Sequence, residues 1–259
     1  MRILLTGASR GIGRAIASRL AKPGASLALC ASALSAELDA VVAACLAQGA
    51  RAESVAGDLS DAATASRLVA TAADRLGGID AVISNAGVVA PALLADLELA
   101  EWDRVFSVNV RSPWLLARAA YPHLKKAKGA FVAVASMSGV EPYPGTGAYS
   151  PAKAALIMLV RVLAQEWAAD GIRANVISPG LFHTAMTAPI YADLEKKAAR
   201  EALVPMHRIG DPEHDIAGLA EFLISADAGY LTGQNILVDG GLIGSIQANI
   251  AGRPKSGGA

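Results

Sequence analysis

The 259-residue sequence contains only two cysteines, Cys30 and Cys45, too few for a disulfide framework, and both stand among apolar residues in a way that reads as packing. Aromatic residues are scarce at 5%, and neither charge is in surplus: Lys+Arg and Asp+Glu number 23 each. A nucleic-acid binder would need a basic face to neutralise phosphates, so that class is set aside. No run approaches the ~18 consecutive apolar residues of a membrane span. The apolar start, Met1 to Leu5, breaks at Thr6-Gly7, too early for a signal peptide. The four histidines, His123, His183, His207 and His214, show no ligand spacing, so no metal is expected. What remains is a chain 53% hydrophobic and 18% charged, ample for one large core. The expectation is a soluble, reduced, cytoplasmic protein with no membrane and no nucleic-acid partner.

Short apolar runs at 2–6, 26–30, 51–55, 79–84, 130–135, 173–178 and 235–238 alternate with helix-period segments. The latter fall at 11–21, 35–48, 61–76, 99–127 (broken before Pro113), 148–169 and 213–224. Such alternation predicts an α/β fold: a single-domain, Rossmann-like, doubly wound parallel sheet of about seven strands with helices on both faces. One domain is expected over 1–241, with an irregular insertion at 181–212, punctuated by Pro189, Pro205 and Gly210, that serves as a substrate lid. The tail 242–259, rich in glycine near its end, is expected to be loosely held.

Strand 2–6 runs into Thr6-Gly7-Ala8-Ser9-Arg10-Gly11-Ile12-Gly13 and then a helical pattern. Glycines allow a tight turn and close backbone approach to a pyrophosphate, and the following helix turns unpaired N–H groups and a positive dipole end toward that anion. Gly7, Ser9, Arg10, Gly11, Ile12 and Gly13 are therefore candidate cofactor-binding residues. An acid at the end of the second strand would bind a ribose 2′-OH and repel a 2′-phosphate. Here the chain reads Cys30-Ala31-Ser32, with no acid before Glu37. Arg10 and Ser32, beside Ala31, can face a 2′-phosphate instead, so NADP(H) is favoured over NAD(H).

Later segments add Asp58-Leu59, Asn85-Ala86-Gly87, Asn109, Ser136-Met137-Ser138-Gly139, Tyr149-Ser150-Pro151-Ala152-Lys153, Ser178-Pro179-Gly180 and Val238-Asp239-Gly240-Gly241. In this order and spacing they resemble the short-chain dehydrogenase/reductase family over about residues 2–241, with Ser84 standing where a second asparagine is commonest. The resemblance implies catalytic roles for Asn109, Ser136, Tyr149 and Lys153. It implies that Asp58 and Leu59 lie at the adenine, Asn85, Ala86 and Gly87 at the adenosine ribose, and Ile177, Pro179, Gly180 and Thr184 at the nicotinamide. It also implies a homotetramer.

The residues themselves add a chemical reading. Tyr149 and Lys153 are four apart and share a helix face, with Pro151 tolerated in the first turn and the helix starting near Gly147 or Ala148. A phenol titrates near 10, so the adjacent ammonium is expected to favour the phenolate, contributing with a nearby nicotinamide cation to the ~4 kcal/mol that a downward shift of about three pKa units needs. Ser136 precedes Tyr149 by the separation usual in the family and would bond the substrate oxygen.

Candidate substrate-pocket residues are Ser138, Val140, Tyr143, Leu181 and Met186, together with Val88, Val89, Phe182 and Ile190. Their character suits an apolar ketone or alcohol better than a sugar. The favoured activity is a carbonyl reductase or alcohol dehydrogenase acting on a small-molecule substrate. The alternative, 3-oxoacyl-carrier-protein reductase, ranks second, because Ala127 and Asp170 stand where that group carries docking arginines and only Lys125, Lys126 and Lys128 offset them. A non-catalytic dinucleotide sensor ranks last, since the serine, tyrosine and lysine are all present.

Overall fold

A computed structural model describes residues 1–184 and 187–245. Met186, one of the substrate-pocket candidates, and the tail from residue 246 onward lie outside the described residues. Seven strands, β1 (Arg2–Thr6), β2 (Ser26–Ala31), β3 (Arg51–Ala56), β4 (Ala81–Ser84), β5 (Ala130–Val134), β6 (Arg173–Pro179) and β7 (Asn235–Val238), form one sheet in the order 3-2-1-4-5-6-7. Every pairing is parallel.

Successive strand residues point to opposite faces, and here both faces are apolar. Leu4, Val82, Phe131 and Val176 pack on one side, against α3 (Thr64–Leu76), α5 (Ser112–Ala127) and α6 (Tyr149–Trp167). Ile3, Leu5, Ile83, Val132 and Ile177 pack on the other, against α1 (Gly11–Leu20), α2 (Ala36–Ala47) and α9 (Ala217–Ile224). This is why the strands read as continuous apolar runs rather than alternating ones. Cys30 and Cys45 are free thiols within these layers, and burial pushes the Cys30 thiol up to about 12. No helix among the described residues is long and apolar enough to cross a membrane.

Two expectations need correction. The segment 99–127 does not break before Pro113. Helix α4 (Leu99–Phe106) passes through one π turn, Ser107–Arg111, directly into α5. Pro113, which has no N–H to give, falls in the first turn of α5, and the Ser112 hydroxyl donates to the Val108 carbonyl at 2.8 Å. The second correction concerns 181–212, which is not irregular throughout. It carries α7 (Ala188–Tyr191) and α8 (Leu194–Leu203), the latter capped by Asp193 Oδ1, which accepts from the Glu195 and Lys196 N–H groups.

The strand order reverses between β1 and β4, because the chain builds outward through β2 and β3 before returning to the other side of β1. At such a switch point the loops after the two strands part, leaving a crevice at their carboxyl ends.

Candidate active site

After Thr6 the chain turns through Gly7 (φ 66°) and Gly11 (φ 55°), backbone angles that favour glycine. A Cβ on Gly13 would collide with the Gly7 carbonyl and come within 2.6 Å of Asn85 Nδ2. Asn85 Nδ2 donates to the Thr6 and Gly7 carbonyls at 3.1 and 3.0 Å, while Thr6 Oγ1 accepts from the Asn85 and Ala86 N–H groups, both at 3.1 Å. These bonds pin the end of β1 to the end of β4 across the switch point. Arg10, at the cap position of α1, makes no side-chain capping bond, and the first turn of α1 holds no acid. The leading N–H groups of the helix are thus left without a side-chain acceptor.

A cleft of about 640 Å³ opens over these turns. Its walls include Gly7, Ser9, Arg10, Gly11, Ile12, Ala31, Ser32, Asp58, Leu59, Asn85, Ala86, Gly87, Ser136, Tyr149, Lys153, Pro179, Gly180 and Thr184, all singled out from the sequence. Gly13 is not on the wall; it permits the turn from behind. Ile177, expected at the nicotinamide, is fully buried in the core instead. Cys30, Gly57, Val108, Val134, Ala135 and Thr187 line the cleft without having been expected. Most of these sit next to a predicted residue at a strand's carboxyl end, a positional signal that was there to use. Val108 arrives through the π turn, which no spacing announces.

Tyr149 opens α6 and Lys153 lies one turn on, its side chain buried at 3% exposure. Lys153 Nζ donates to the Val134 carbonyl at 2.9 Å and stands 5.6 Å from the centre of the Tyr149 ring. Burial pulls the Lys153 ammonium down to about 8. The expected depression of Tyr149 by Lys153 is not found. Burial pushes the phenol up, and the hydrogen bond from Ser136 works against burial without overcoming it. The spacing does bring the two groups together on one helix, but burial is the largest influence on each. Ser136 Oγ also accepts from the Ser138 N–H at 3.1 Å, capping the tight turn Met137–Gly139. A Cβ on Gly139 would press into the backbone of Lys153 and Ala154, so this glycine lets the serine turn lie on α6.

Asn109, given a catalytic role by the resemblance, lies behind the cleft wall rather than on it. It is fully buried in the π turn, with Oδ1 accepting from the Val88 N–H at 3.0 Å and Nδ2 donating to the Val88 carbonyl at 2.8 Å. A Cβ on Gly87 would meet Asn109 Oδ1 at 2.9 Å and Lys153 Nζ at 3.3 Å, which places both groups against this stretch of backbone.

The substrate-pocket candidates fare worse. Ser138 is buried in support of Ser136, and Val140 and Tyr143 are exposed at 43% and 50%. Leu181 accepts the Gly210 N–H at 2.9 Å and is off the cleft wall, as are Val89 and Ile190. Of that group's described residues, only Phe182 and Val88 reach the cleft. No group of three or more His, Cys, Asp or Glu among the described residues is arranged to hold a metal.

A family model described as enoyl-(acyl carrier protein) reductase matches residues 7–243. The chain is similar to human dehydrogenase/reductase SDR family member 4, with 36% identity over 241 residues that cover 92% of this chain and 86% of the relative. It is 34% identical over 242 residues to the 3-oxoacyl-[acyl-carrier-protein] reductase of Synechocystis, covering 93% and 96% respectively. Among solved structures, the active-site complex of Pseudomonas aeruginosa RhlG with NADP matches with a TM-score of 0.85 and 33% identity, covering 93% of this chain and 95% of that one.

Proposed function

The chain belongs to the short-chain dehydrogenase/reductase family of oxidoreductases, and from that premise we propose that it is an NADP-dependent carbonyl reductase or alcohol dehydrogenase acting on a ketone or secondary alcohol. The observation that carries this reading is one cleft in which a phenol, a hydroxyl and a buried ammonium adjoin a glycine turn at a topological switch point.

The residues present fit a dinucleotide. The turn at Gly7 and Gly11 takes angles that suit glycine, and the N-terminus of α1 has no acid to repel a pyrophosphate. Arg10 enters no ion pair among the described residues, and the wall at the end of β2 is Ala31 and Ser32 rather than a carboxylate. Arg10 and Ser32 would hold a 2′-phosphate, Asp58 and Leu59 the adenine, Asn85 and Gly87 its ribose. Lys153 would hold the nicotinamide ribose hydroxyls, and Pro179, Gly180 and Thr184 would border the ring. When bound, the cofactor supplies or accepts the hydride at its nicotinamide C4.

The phenol raised by burial is protonated at neutral pH, which is the state a proton donor needs for carbonyl reduction. Tyr149 Oη gives its proton to the carbonyl oxygen, and the Ser136 hydroxyl bonds the same oxygen as charge develops there. Asn109 keeps the backbone at Val88 in place beside Lys153.

The Synechocystis relative favours the second reading, reduction of a 3-oxoacyl thioester. Against it, Asp170 is a carboxylate that holds Lys125 at 2.7 Å and the Tyr121 hydroxyl, so of the three lysines of this edge Lys125 is already paired and only Lys126 and Lys128 stand for the docking arginines. A cytoplasmic homotetramer is part of the proposal, supported by the exposed Trp102, Trp114, Met158 and Val162 on α4, α5 and α6.

A turnover screen crossing NADP(H) and NAD(H) with ketones, acyl thioesters and sugars tests the reading. NADPH-dependent reduction of apolar ketones is expected, and Tyr149→Phe should lower kcat by about 10²–10⁴-fold with cofactor affinity retained. Unchanged turnover in that variant, or a marked preference for sugars, overturns it.

A further inference from the structure

Beside the cleft wall at Phe182 and Thr184, Arg200 stands without a counter-charge among the described residues. Arg200 lies on α8, a helix whose other cations are paired: Lys196 with Asp193 at 2.9 Å and Lys197 with Glu201 at 3.6 Å. Arg200 has no carboxylate within ion-pair distance among the described residues, although it is half-buried. Its guanidinium carbon lies over the Tyr191 ring, 5.6 Å from the centroid, and Nη2 makes one long contact, 3.5 Å, with the Tyr143 hydroxyl.

This position links the inserted segment to the loop that precedes α6. The Tyr143 N–H donates to Ser150 Oγ at 3.3 Å, and Ser150 directly follows Tyr149. On the other side, the Tyr191 ring stacks on His183 at 5.6 Å, and His183 sits between the cleft-lining residues Phe182 and Thr184. Arg200 therefore stands on an aromatic shelf, in contact with both segments that flank the serine–tyrosine side of the cleft. The shelf holds a second unspent polar group: Tyr191 is only 5% exposed and its hydroxyl has no hydrogen-bond partner among the described residues.

A guanidinium presents five N–H donors in a planar fork that matches a carboxylate bidentately, and stacking on a ring fixes the fork in advance. One long contact to a phenol leaves most of those donors unspent. We propose that Arg200 is a specificity-determining residue that binds the carboxylate of the substrate, so that the preferred substrate is an oxo acid or hydroxy acid with an apolar body. This rests on the hydride-transfer reading above and names the substrate class for that same site.

The test compares a 4- to 8-carbon oxo acid with its methyl ester, both reduced with NADPH, in the wild type, Arg200→Ala and Arg200→Lys. The wild type should prefer the acid. In Arg200→Ala the acid-to-ester ratio of kcat/KM should fall about ten- to hundredfold, the size of a lost charge-assisted bond, through a raised KM for the acid. Arg200→Lys, which keeps the charge and loses the fork, should fall between the two, and it carries the test if the alanine variant does not fold. A ratio unchanged by either substitution, or an acid and ester that decline together, overturns the assignment of Arg200. If the wild type reduces the ester but not the acid, the substrate class falls and the hydride-transfer reading stands. If it reduces neither these nor any other ketone with either cofactor, the hydride-transfer reading falls.

Discussion

The wall of the cleft that runs from Gly7 to Asn85 is mostly backbone at the ends of parallel strands, whereas the shelf that stands beside the cleft as a second, outer wall, from Tyr143 to Arg200, is side chains on a loop and a short helix. In the first wall, positions are over-determined. Asn85 bonds two carbonyls of the neighbouring strand end, Thr6 bonds two N–H groups in return, and Gly13 leaves no room for a side chain. In the second, Arg200 is held by one ring and one long contact, and Tyr143 by a 3.3 Å bond to Ser150. A site that serves one fixed cofactor benefits from rigid backbone, and the side that reads the variable substrate can be changed one side chain at a time.

The sharpest way to break the first wall is Gly13→Ala. Its Cβ meets the Gly7 carbonyl and Asn85 rather than the end of a flexible side chain, so the turn itself must move. We expect a loss of about 3 kcal/mol or more, together with loss of dinucleotide binding. Gly218→Ala, in α9 with nothing within 4 Å of the new Cβ, should instead raise stability by about 0.5–1 kcal/mol through helix propensity. Denaturant midpoints of the two variants measure the contrast. A Gly13→Ala protein as stable as the wild type would show that the turn is not rigid.

The junction between the walls is Lys153, and its titration sharpens the comparison. Its folded value of about 8 lies below the ordinary 10.5, so above about pH 8 the folded chain has released a proton that the unfolded chain still holds. Unfolding then takes up a proton, and stability rises with pH across that window. Between pH 8 and 9.5, below the range where tyrosines of the unfolded chain ionise, the gain should be about 1.5 kcal/mol. The Cys30 and Cys45 thiols, held up by burial, give the opposite slope in this window in both proteins, so in urea melts at the two pH values the increment is read as the growth of the wild type's stability relative to Lys153→Met. Equal slopes would mean that the ammonium is not desolvated.

The same contrast governs what was legible in the sequence. The seven strands and the glycine turn follow from apolar runs, turn residues and chain order, which are local properties. The wall from Gly7 through Asp58 to Asn85 was readable because it follows the carboxyl ends of those strands. The π turn at Ser107–Arg111 was not, because it is a change of hydrogen-bond register inside an unbroken helical pattern. Helix α8 had its signal, an Asp193 cap before a run of good helix formers, but the flanking prolines outweighed it. Tyr149 was placed correctly and its titration was not, since spacing shows which groups meet and says nothing of how much water each loses. Val140 and Tyr143 looked like pocket walls by composition, yet both point out of the cleft wall into exposed positions.

The smallest effect tests the second wall, where the Tyr191 hydroxyl is buried without a partner among the described residues. A buried hydroxyl that makes no bond loses its hydration on folding and regains nothing, so deleting it removes a cost rather than a contact. Tyr191→Phe keeps the ring that stacks on His183 and carries Arg200. In the free protein this variant should therefore match the wild type or exceed it by up to about 1 kcal/mol, read as a denaturant midpoint. A loss of 1 kcal/mol or more would mean that the hydroxyl is bonded in solution. The shelf would then be as tightly specified as the backbone wall, and the difference between the two would disappear.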